Sequence, residues 1–285
     1  MHVFDVPKAM HAWSHERRRA GQRVAVVPTM GALHAGHLAL IAEAGRRADV
    51  VIVTIFVNPI QFDRATDFDR YPRPIDDDLS TCREQGVDAV YAPTAATMYP
   101  PGFQTNVEPG ELAERLEGPV RPGHFRGVTT VITKLFGATA PALAVFGRKD
   151  YQQLAIVRRM VADLDLGIEI VGVPTEREPD GLARSSRNTR LTRGDRTAAA
   201  AVPRALDAVI ALHRDGMRDA AVLRSVALQV LGAEARARVD YVEIVDADQL
   251  VPVPRIDRPA AVLVAAWFGE VRLIDNTVLD PVIPG

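Results

Sequence analysis

Apolar residues in the first part of the chain form short continuous runs separated by helical patterns. These runs occupy residues 24–27, 50–57, 87–92, 142–146 and 168–173. A strand that is apolar at every position is covered on both faces, which is typical of parallel sheets joined by helices. Helical patterns fall at residues 6–19, 74–85 and 128–135. The sequence therefore predicts an α/β domain built on a parallel sheet.

The pattern changes after Thr192, a candidate N-cap for an alanine-rich helix that reaches about residue 213. Pro203 is expected to kink or interrupt that helix. A further helix and three strand-like runs follow at residues 220–231, 239–245, 260–268 and 270–275. We predict two domains, residues 1–175 and residues 176–285, of which the second is a smaller α+β domain that closes over the first.

Charge and cysteine content narrow the classes of function. The chain has 285 residues, with 34 basic against 36 acidic side chains and a net charge of -2. No basic excess favours nucleic acid or an anionic membrane, so small molecules or proteins are the expected partners. Cys82 is the only cysteine, which favours a reducing compartment, and no apolar stretch suits a signal peptide or a membrane span. We expect a cytoplasmic protein.

The first strand-like run leads into a glycine-containing turn, VPTMGALHAGH at residues 27–37, and a helical pattern follows it. The first N–H groups of a helix have no intrahelical partner and lie at the positive end of its dipole, so this turn can bind a phosphate. Gly31 and Gly36 allow close approach of the backbone. His34 and His37 share one face and can contact the same phosphoryl group. Alternatively, both are ordinary polar residues of a first helical turn.

The second strand-like run ends in FVNPIQF, which contains Asn58 and Gln61. Ligands of open parallel sheets collect beyond the carboxyl ends of the strands, so these amides are expected near the histidine turn. They can hold the hydroxyl and carboxylate groups of a substrate without adding charge. Alternatively, the segment is a loop with an Asn-Pro turn.

Two further segments allow a functional and a structural interpretation. Residues 76–78 are aspartates in the first turn of a helix, where they suit the helix dipole or can hold the hydration shell of Mg²⁺. Arg121 and His124 lie in RPGHFRGV, whose glycines and basic residues indicate a mobile anion-binding segment or a plain surface turn.

The run at residues 142–146 leads to GRKDYQQL, which repeats the strand, glycine and helix order of the first turn. Lys149 can place a charge on phosphate, Asp150 can accept hydrogen bonds from ribose hydroxyls, and Gln153 is expected in the same cleft as Gln61. The alternatives are an exposed lysine and an N-cap aspartate. Residues 180–192 are rich in groups that bind phosphate, with Ser185 and Arg187 as candidates.

Five motifs in this order, VPTMGALHAGH, FVNPIQF, RPGHFRGV, GRKDYQQL and LARSSRNTRL, resemble those of the pantothenate synthetase (pantoate–β-alanine ligase) family. That family belongs to the nucleotidyltransferase superfamily that carries the HxGH motif. The likeness covers nearly all of the first domain and extends more loosely into the second. It implies a Rossmann-like N-terminal domain that binds ATP and pantoate, a smaller α+β C-terminal lid, a homodimer, and a need for ATP and Mg²⁺.

The resemblance also implies roles for single residues. His37, His34, Lys149, Ser185 and Arg187 would contact phosphate and carry the chemistry. The ATP-binding set would be Met30, His34, His37, Gly147, Lys149, Asp150, Arg184, Ser185, Ser186 and Arg187. The set for pantoate and β-alanine would be Met30, Asn58, Gln61, Arg121, His124, Val128, Val131, Ile132 and Gln153. Asp77 and Asp78 would lie near the metal.

Three positions depart from the usual motifs of that family. Arg148 stands where glutamate is common, Arg184 stands where methionine is common, and Ala35 stands where glutamate is common. Ala35 should be neutral. The two arginines add positive charge beside the nucleotide, so the contacts on the adenine side and the affinity for ATP are the properties they can change.

The activity that the resemblance implies is ATP-dependent condensation of pantoate with β-alanine through pantoyl adenylate. Two rivals remain open at this point. An adenylyl- or cytidylyl-transferase shares the first turn but keeps a joined nucleotide product, and a regulator can bind a nucleotide without turnover. The two glutamines favour the ligase over the transferase, and the presence of Lys149, Asp150, Ser185 and Arg187 disfavours a silent regulator.

Overall fold

The structure is a computed structural model that describes residues 1–62 and 65–281. The chain divides into two units. The first contains residues 1–148 and 152–174, and the second contains residues 149–151 and 175–285. Residues 149–151, which follow the fifth strand along the chain, therefore belong to the second unit, although the residues on either side of them belong to the first.

A six-stranded parallel sheet forms the centre of the first unit. Its strands are β1 (His2–Phe4), β2 (Val24–Thr29), β3 (Val50–Ile55), β4 (Ala89–Tyr91), β5 (Leu143–Gly147) and β6 (Glu169–Val173). They lie in the order β1-β4-β3-β2-β5-β6. The predicted Rossmann-like α/β fold is confirmed. The strand β1 was not predicted, because three residues at a sheet edge with mostly exposed side chains leave no apolar run.

The helices of the first unit connect these strands. They are α1 (Pro7–Arg19), α2 (Ala35–Arg47), α3 (Ala65–Asp69), α4 (Ile75–Glu84), α5 (Ala95–Met98), α6 (Glu117–Val120), α7 (His124–Thr139) and α8 (Tyr151–Asp163). Short 3₁₀ helices occupy Pro59–Gln61 and Glu111–Ala113. Within the described residues, every helix is too short or too polar to cross a bilayer.

Alternate residues of β2 enter different cores on the two faces of the sheet. Val24 and Val26 belong to the core that α1, α7 and α8 cover, whereas Ala25 and Val27 belong to the core that α2 and α4 cover. All four side chains are fully buried. Burial on both faces explains why the strand is apolar, since a polar side chain on either face would lose its hydration.

The strand order places a topological switch point at β2. From β2 the chain crosses through α2 to β3 on one side, whereas from β5 on the other side it crosses through α8 to β6. In open parallel sheets, loops that leave neighbouring strands in opposite directions open a crevice at the carboxyl ends of those strands. The turns that follow β2 and β5 are therefore the natural place for a ligand.

The second unit is an antiparallel sheet covered by helices. Its elements are a 3₁₀ helix (Ser186–Arg190), α9 (Arg193–Ala198), α10 (Ala201–Arg214), α11 (Ala220–Gly232), β7 (Ala237–Asp246), β8 (Ala260–Phe268) and β9 (Val271–Leu279). The strands lie in the order β7-β8-β9. The α10 and α11 helices pack on this sheet around one apolar core, so the predicted α+β architecture is confirmed. The domain roles that we predicted for the two halves stay predictions.

The helix expected from residue 192 to about residue 213 is interrupted at residues 199–200, and Pro203, which was expected to kink or interrupt it, lies in the first turn of α10. Proline has no N–H group, and the first turn is where a helix does not need one. The single helical turn Ala65–Asp69 was not predicted, because it has no apolar period to reveal it.

Candidate active site

The turn after β2 is anchored on the neighbouring strand. The Thr29 hydroxyl donates to the carbonyl oxygen of Thr54 at 2.7 Å and accepts from Gly31 N at 3.1 Å. Gly31 then takes a φ of +81° and Ala32 a φ of +51°. Glycine adopts the left-handed region readily, whereas a residue with a Cβ atom in that region destabilises the fold by roughly 1 kcal/mol. Some other contact must therefore hold Ala32 in place.

Asp78 of α4 supplies that contact. Its Oδ2 accepts from Ala32 N at 2.8 Å and its Oδ1 accepts from Leu33 N at 2.7 Å. The residue is 3% exposed, and a Cβ added at Gly31 would lie 2.7 Å from Asp78 Oδ2. Glycine at position 31 is thus required by both its φ and the approach of this carboxylate. Asp78 holds the histidine turn in shape.

His34 is the N-cap of α2, and His37 lies three residues later. His34 Nδ1 accepts from Gly36 N at 3.2 Å, and His37 Nδ1 accepts from His34 N at 3.3 Å. The arrangement matches a capping box built from two imidazoles. Because each Nδ1 accepts a backbone proton, each ring carries its own proton on Nε2.

The two imidazole rings lie close together, with centroids 4.1 Å apart and planes inclined by 38°. Both residues are half-buried at the positive end of α2, a helix of 13 residues. Two Nε2–H donors beside the first backbone N–H groups of a helix suit a ligand with several negatively charged oxygens. The geometry therefore supports the predicted phosphate-binding turn.

Asn58 and Gln61 lie beside this turn and form one hydrogen-bonded group. Asn58 Nδ2 donates to Gln61 Oε1 at 3.0 Å and to the carbonyl oxygen of Gly127 at 3.1 Å, and the Tyr99 hydroxyl donates to Asn58 Oδ1 at 2.8 Å. Gln61 Nε2 lies 3.0 Å from the Met30 sulfur. Asn58 is 1% exposed, so its amide acts on Gln61 and the protein backbone.

Arg121 and His124 hold the main chain of the same segment. His124 Nδ1 donates to the carbonyl oxygen of Gln61 at 2.7 Å, and Arg121 Nη1 donates to His124 Nε2 at 3.1 Å. A guanidinium can only donate and a carbonyl can only accept, so His124 is fixed as the neutral Nδ1–H tautomer. His124 is buried, which places it behind Gln61 as a support.

Three apolar residues that we predicted to line the pantoate site lie on α7. Val128, Val131 and Ile132 are each at most 5% exposed and belong to the core of the first unit. Their contact with a substrate stays a prediction.

The adjacent glutamines of the KDYQQ motif have different environments. Gln152 is buried, and its amide bonds the main chain of residues 112, 115 and 117 at 2.8–3.0 Å. Gln153 is half-buried, and none of the described residues forms a hydrogen bond with its side chain. The structure thus separates Gln152, which fixes a loop, from Gln153, whose role in binding a substrate stays a prediction.

Lys149 and Asp150 belong to the second unit. Lys149 Nζ lies 3.6 Å from Asp150 Oδ1, and the Lys149 carbonyl oxygen accepts from Asn276 Nδ2 of β9 at 2.8 Å. The Tyr151 hydroxyl donates to the carbonyl oxygen of Ala247 at 2.9 Å. The segment that follows Gly147 is therefore tied by its backbone and its tyrosine to residues of the second unit.

The SSRN segment also contacts β9. Ser185 caps the 3₁₀ helix Ser186–Arg190, and its Oγ accepts from Arg187 N at 3.2 Å. Arg184 lies 3.4 Å from Glu178 in an ion pair. Ser185 and Arg187 therefore lie two residues apart at the start of this helix, and the Glu178 partner partly offsets the charge that Arg184 adds.

The structure groups the predicted residues within each unit. The first unit holds the histidine turn, the amide group and the α7 residues, together with Gly147 and Gln153. The second unit holds Lys149, Asp150 and residues 184–187.

Sequence reasoning missed the contacts by which Tyr99 holds Asn58 and Asp78 holds the histidine turn. A single tyrosine in a loop rich in proline and glycine has no spacing or periodicity that would indicate its contact with Asn58. Asp78 differs, because it shares the buried face of α4 with Cys82 at a spacing of four residues. That spacing is visible in the sequence and indicates a buried carboxylate that needs donors.

The sequence of this chain matches that of a known protein family. A family model described as Pantoate-beta-alanine ligase matches residues 2–278. A pantothenate synthetase from Geobacter sulfurreducens is 47% identical over 279 residues, covering 98% of this chain and 99% of the relative. One from Myxococcus xanthus is 51% identical over 270 residues, covering 94% and 92%.

Solved structures give the same result. A pantothenate synthetase from Thermus thermophilus superposes with a TM-score of 0.92 at 43% identity, covering 97% of this chain and 99% of that one. A pantoate-beta-alanine ligase from Francisella tularensis, complexed with beta-gamma ATP and beta-alanine, superposes with a TM-score of 0.80 at 34% identity, covering 98% and 97%. The likeness extends through both units.

Proposed function

We infer that this chain, which belongs to the pantoate-beta-alanine ligase family, condenses pantoate with β-alanine in a reaction driven by ATP. The observation that carries the assignment within the structure is the pair of imidazoles that cap α2, whose Nε2–H groups suit a polyphosphate. Beside them the Gln61 amide can bind an uncharged or anionic oxygen of the second substrate.

The chemistry requires activation of a carboxylate, because oxide is too poor a leaving group for direct attack by an amine. A carboxylate oxygen of pantoate attacks the α-phosphorus of ATP, and the bond to pyrophosphate breaks. The amine of β-alanine then attacks the acyl carbon of pantoyl adenylate and AMP leaves, with loss of one proton from nitrogen. The products are pantothenate, AMP and pyrophosphate. No step needs a covalent bond to the protein.

His34 and His37 are proposed to stabilise the charge that develops as pyrophosphate departs. The backbone fixes the tautomer of each ring, so the donors are oriented before the substrate binds. A donor that is already oriented loses little free energy to reorganisation in the transition state, and such a donor typically contributes roughly 3–4 kcal/mol.

Gln61 and Gln153 are proposed to hold pantoate, with Met30 and the α7 residues against its apolar part. A neutral amide suits the attacking carboxylate, since a cation clamped on that group would lower its nucleophilicity. Holding the carboxylate close to the α-phosphorus replaces a bimolecular encounter, which can contribute several kcal/mol to the rate. The hydrogen bonds that fix Gln61 support this role.

Lys149, Ser185 and Arg187 are proposed as further phosphate ligands, and Gly147 and Asp150 as ribose contacts. A lysine supplies a point charge and an arginine a fork of donors, so the two differ in the phosphate oxygens they can bind. Excluding water from the adenylate requires a cover over the site, and we assign this role to the second unit. By the same family resemblance we propose a homodimer that acts in the cytoplasm.

The residues predicted near Mg²⁺ do not form a protein cage for the ion. Asp78 uses both carboxylate oxygens to bind backbone N–H groups, and Asp77 is exposed. Among the described residues, no three His, Cys, Asp or Glu side chains come together as metal ligands. Mg²⁺ commonly reaches such sites on the nucleotide phosphates with most of its waters. We therefore propose that the protein uses the Mg²⁺–ATP complex and that Asp78 holds the backbone of the histidine turn instead of the ion.

An assay for AMP tests the function. Purified protein is incubated with ATP and Mg²⁺, with pantoate and β-alanine added separately and together, and nucleotides are separated by chromatography. We expect steady AMP release only when both organic substrates are present. Pantoate alone should give a single turnover of pyrophosphate. A joined nucleotide product would instead identify an adenylyl-transferase, or a cytidylyl-transferase when CTP replaces ATP, and ATP binding without turnover would identify a regulator.

A further inference from the structure

The amide group beside the histidine turn has only one consistent orientation. Asn58 Nδ2 lies 3.1 Å from the carbonyl oxygen of Gly127, an atom that can only accept a hydrogen bond. If the Asn58 amide were flipped, two carbonyl oxygens would face each other. The NH₂ group of Asn58 must therefore point at Gly127, and its Oδ1 must point at the Tyr99 hydroxyl.

This orientation fixes the next amide in the chain of contacts. The second proton of Asn58 Nδ2 points at Gln61 Oε1, 3.0 Å away, and a flipped Gln61 would bring two NH₂ groups together. Gln61 therefore turns its oxygen inward and its NH₂ group towards Met30, at the start of the histidine turn. A thioether is a weak acceptor, so an oxygen of a ligand can replace it at low cost.

Tyr99 holds the far end of this group. Its hydroxyl donates to Asn58 Oδ1 at 2.8 Å, and burial raises its pKa, so the hydroxyl remains a donor at neutral pH. Its ring packs against Phe56 and Phe103 with centroids 6.2 and 5.0 Å away, and Lys134 Nζ lies 6.0 Å from the ring centroid. These contacts hold the ring in place without the hydroxyl.

We propose that Tyr99 is a positioning residue that acts through Asn58 to present the NH₂ group of Gln61 to the acid substrate. The inference rests on the proposed function and specifies what this subsite accepts. The amide offers a donor, so the subsite selects an acceptor oxygen, either the carboxylate or a hydroxyl of pantoate. Asn58 belongs to the support of Gln61 and does not contact the substrate.

The test compares Tyr99→Phe with Tyr91→Phe, its matched control. Tyr99→Phe removes the hydroxyl and keeps the ring contacts, leaving Asn58 Oδ1 without its donor. We expect the KM for pantoate to rise about tenfold, the size typical of one lost buried hydrogen bond, and the KM values for ATP and β-alanine to stay within about twofold. Tyr91 is 1% exposed, and its hydroxyl bonds no described residue, so its variant should retain the wild-type KM for pantoate.

A double-mutant cycle then asks whether the hydroxyl acts through the glutamine. Gln61→Ala alone should raise the KM for pantoate, and adding Tyr99→Phe to it should raise that KM no further. Additive effects, an equal rise in the KM for ATP, or the same defect in Tyr91→Phe would each overturn the proposal. The proposed function is tested separately, because its failure would appear as absence of AMP formation by the wild-type protein.

Discussion

The carboxylate of Asp78 accepts a hydrogen bond from Leu33 N at 2.7 Å, across 45 positions of sequence. A second bond to Ala32 N holds that residue at a positive φ. The turn that carries His34 is thus shaped by a helix from a different βα unit. An aspartate beside a predicted phosphate-binding turn need not be a metal ligand, because the backbone N–H groups of the turn also require an acceptor.

Removing this carboxylate should disable the histidine turn. In Asp78→Asn one of the two backbone N–H groups faces an NH₂ group, and in Asp78→Ala both lose their acceptor, at roughly 1–3 kcal/mol for each buried donor. We expect kcat/KM for ATP to fall at least about tenfold, by analogy with the loss of one positioned hydrogen bond. Steady-state kinetics and urea unfolding of the purified variants measure both effects.

The same variants separate a positioning role from a metal role. If Asp78 held Mg²⁺, excess Mg²⁺ would restore the activity of Asp78→Asn, whereas a distorted turn does not respond to the ion. The control is Asp76→Asn, because Asp76 lies in the same helical turn as Asp78 but is exposed. This variant should behave as wild type. Cys82 is buried, which raises the pKa of its thiol to about 11, so slow labelling of that thiol reports an intact fold.

The sheet could be predicted from the sequence because burial on both faces leaves a readable signal. Residues 24–27 and residues 50–55 are apolar at nearly every position, and the side chains of these segments are buried. Element boundaries were less predictable where the constraint was local. Pro203 indicated an interruption of the helix that was expected from residue 192. The break lies at residues 199–200, because Pro203 fits in the first turn of α10, where a backbone N–H group needs no partner within the helix.

Individual residues of the candidate site could be predicted from the sequence, but the long-range hydrogen bonds that hold them could not. Spacing alone brought His34 and His37 together, because three residues span about one helical turn. The contact of Tyr99 with Asn58 joins positions 41 apart, and that of Asp78 with Leu33 joins positions 45 apart. Such pairs depend on the path of the sheet, so a single sequence contains no local pattern that reveals them.

The capping and chemical roles of His37 can be separated by substitution. Asparagine places an oxygen near the position of Nδ1, so His37→Asn keeps an acceptor for His34 N but lacks the Nε2–H donor. We expect adenylate formation to fall by ~10², the usual loss for one positioned electrostatic group, with little change in stability. His37→Ala should show the same rate defect and lose about 1 kcal/mol of stability as well.

Single-turnover release of pyrophosphate from ATP and pantoate measures this first step without the amine. A near-normal rate in His37→Asn would remove the histidine from the chemistry and leave it as a helix cap. Equal stability of the alanine and asparagine variants would instead contradict the capping role.

An acid-sensitive contact lies in the second unit at the start of α9. The Thr192 hydroxyl and then Arg236 hold the pKa of Asp195 below its ordinary value. A carboxyl group whose pKa is depressed in the folded state contributes stability above its unfolded pKa of about 3.9, and this stability is lost as the pH falls through the folded pKa. Asp195→Asn should therefore be less stable than wild type at pH 7 and equally stable near pH 2, as urea unfolding can measure. A constant difference at both pH values would contradict this assignment.

The close approach of α7 to the Gln61 segment leaves no room for a Cβ atom at Gly127. A Cβ there would lie 2.4 Å from the carbonyl oxygen of Ile60 and 2.7 Å from Gln61 Cα, and both are backbone atoms that cannot turn aside. Gly127→Ala should cost roughly 1–3 kcal/mol of stability, as overpacking does. It should also raise the KM for pantoate, because the carbonyl that orients Asn58 must move.

Gly137→Ala on the same helix is the matched control, since a Cβ at that position meets no atom within 4 Å. Alanine in a helix interior is favoured over glycine by roughly 0.5–1 kcal/mol, so this variant should be slightly more stable than wild type and keep its KM for pantoate. Urea unfolding and steady-state kinetics of the two alanine variants measure the contrast. Equal behaviour of the two would mean that α7 can move away from Gln61 without cost, and the orientation of the amides would then need another source.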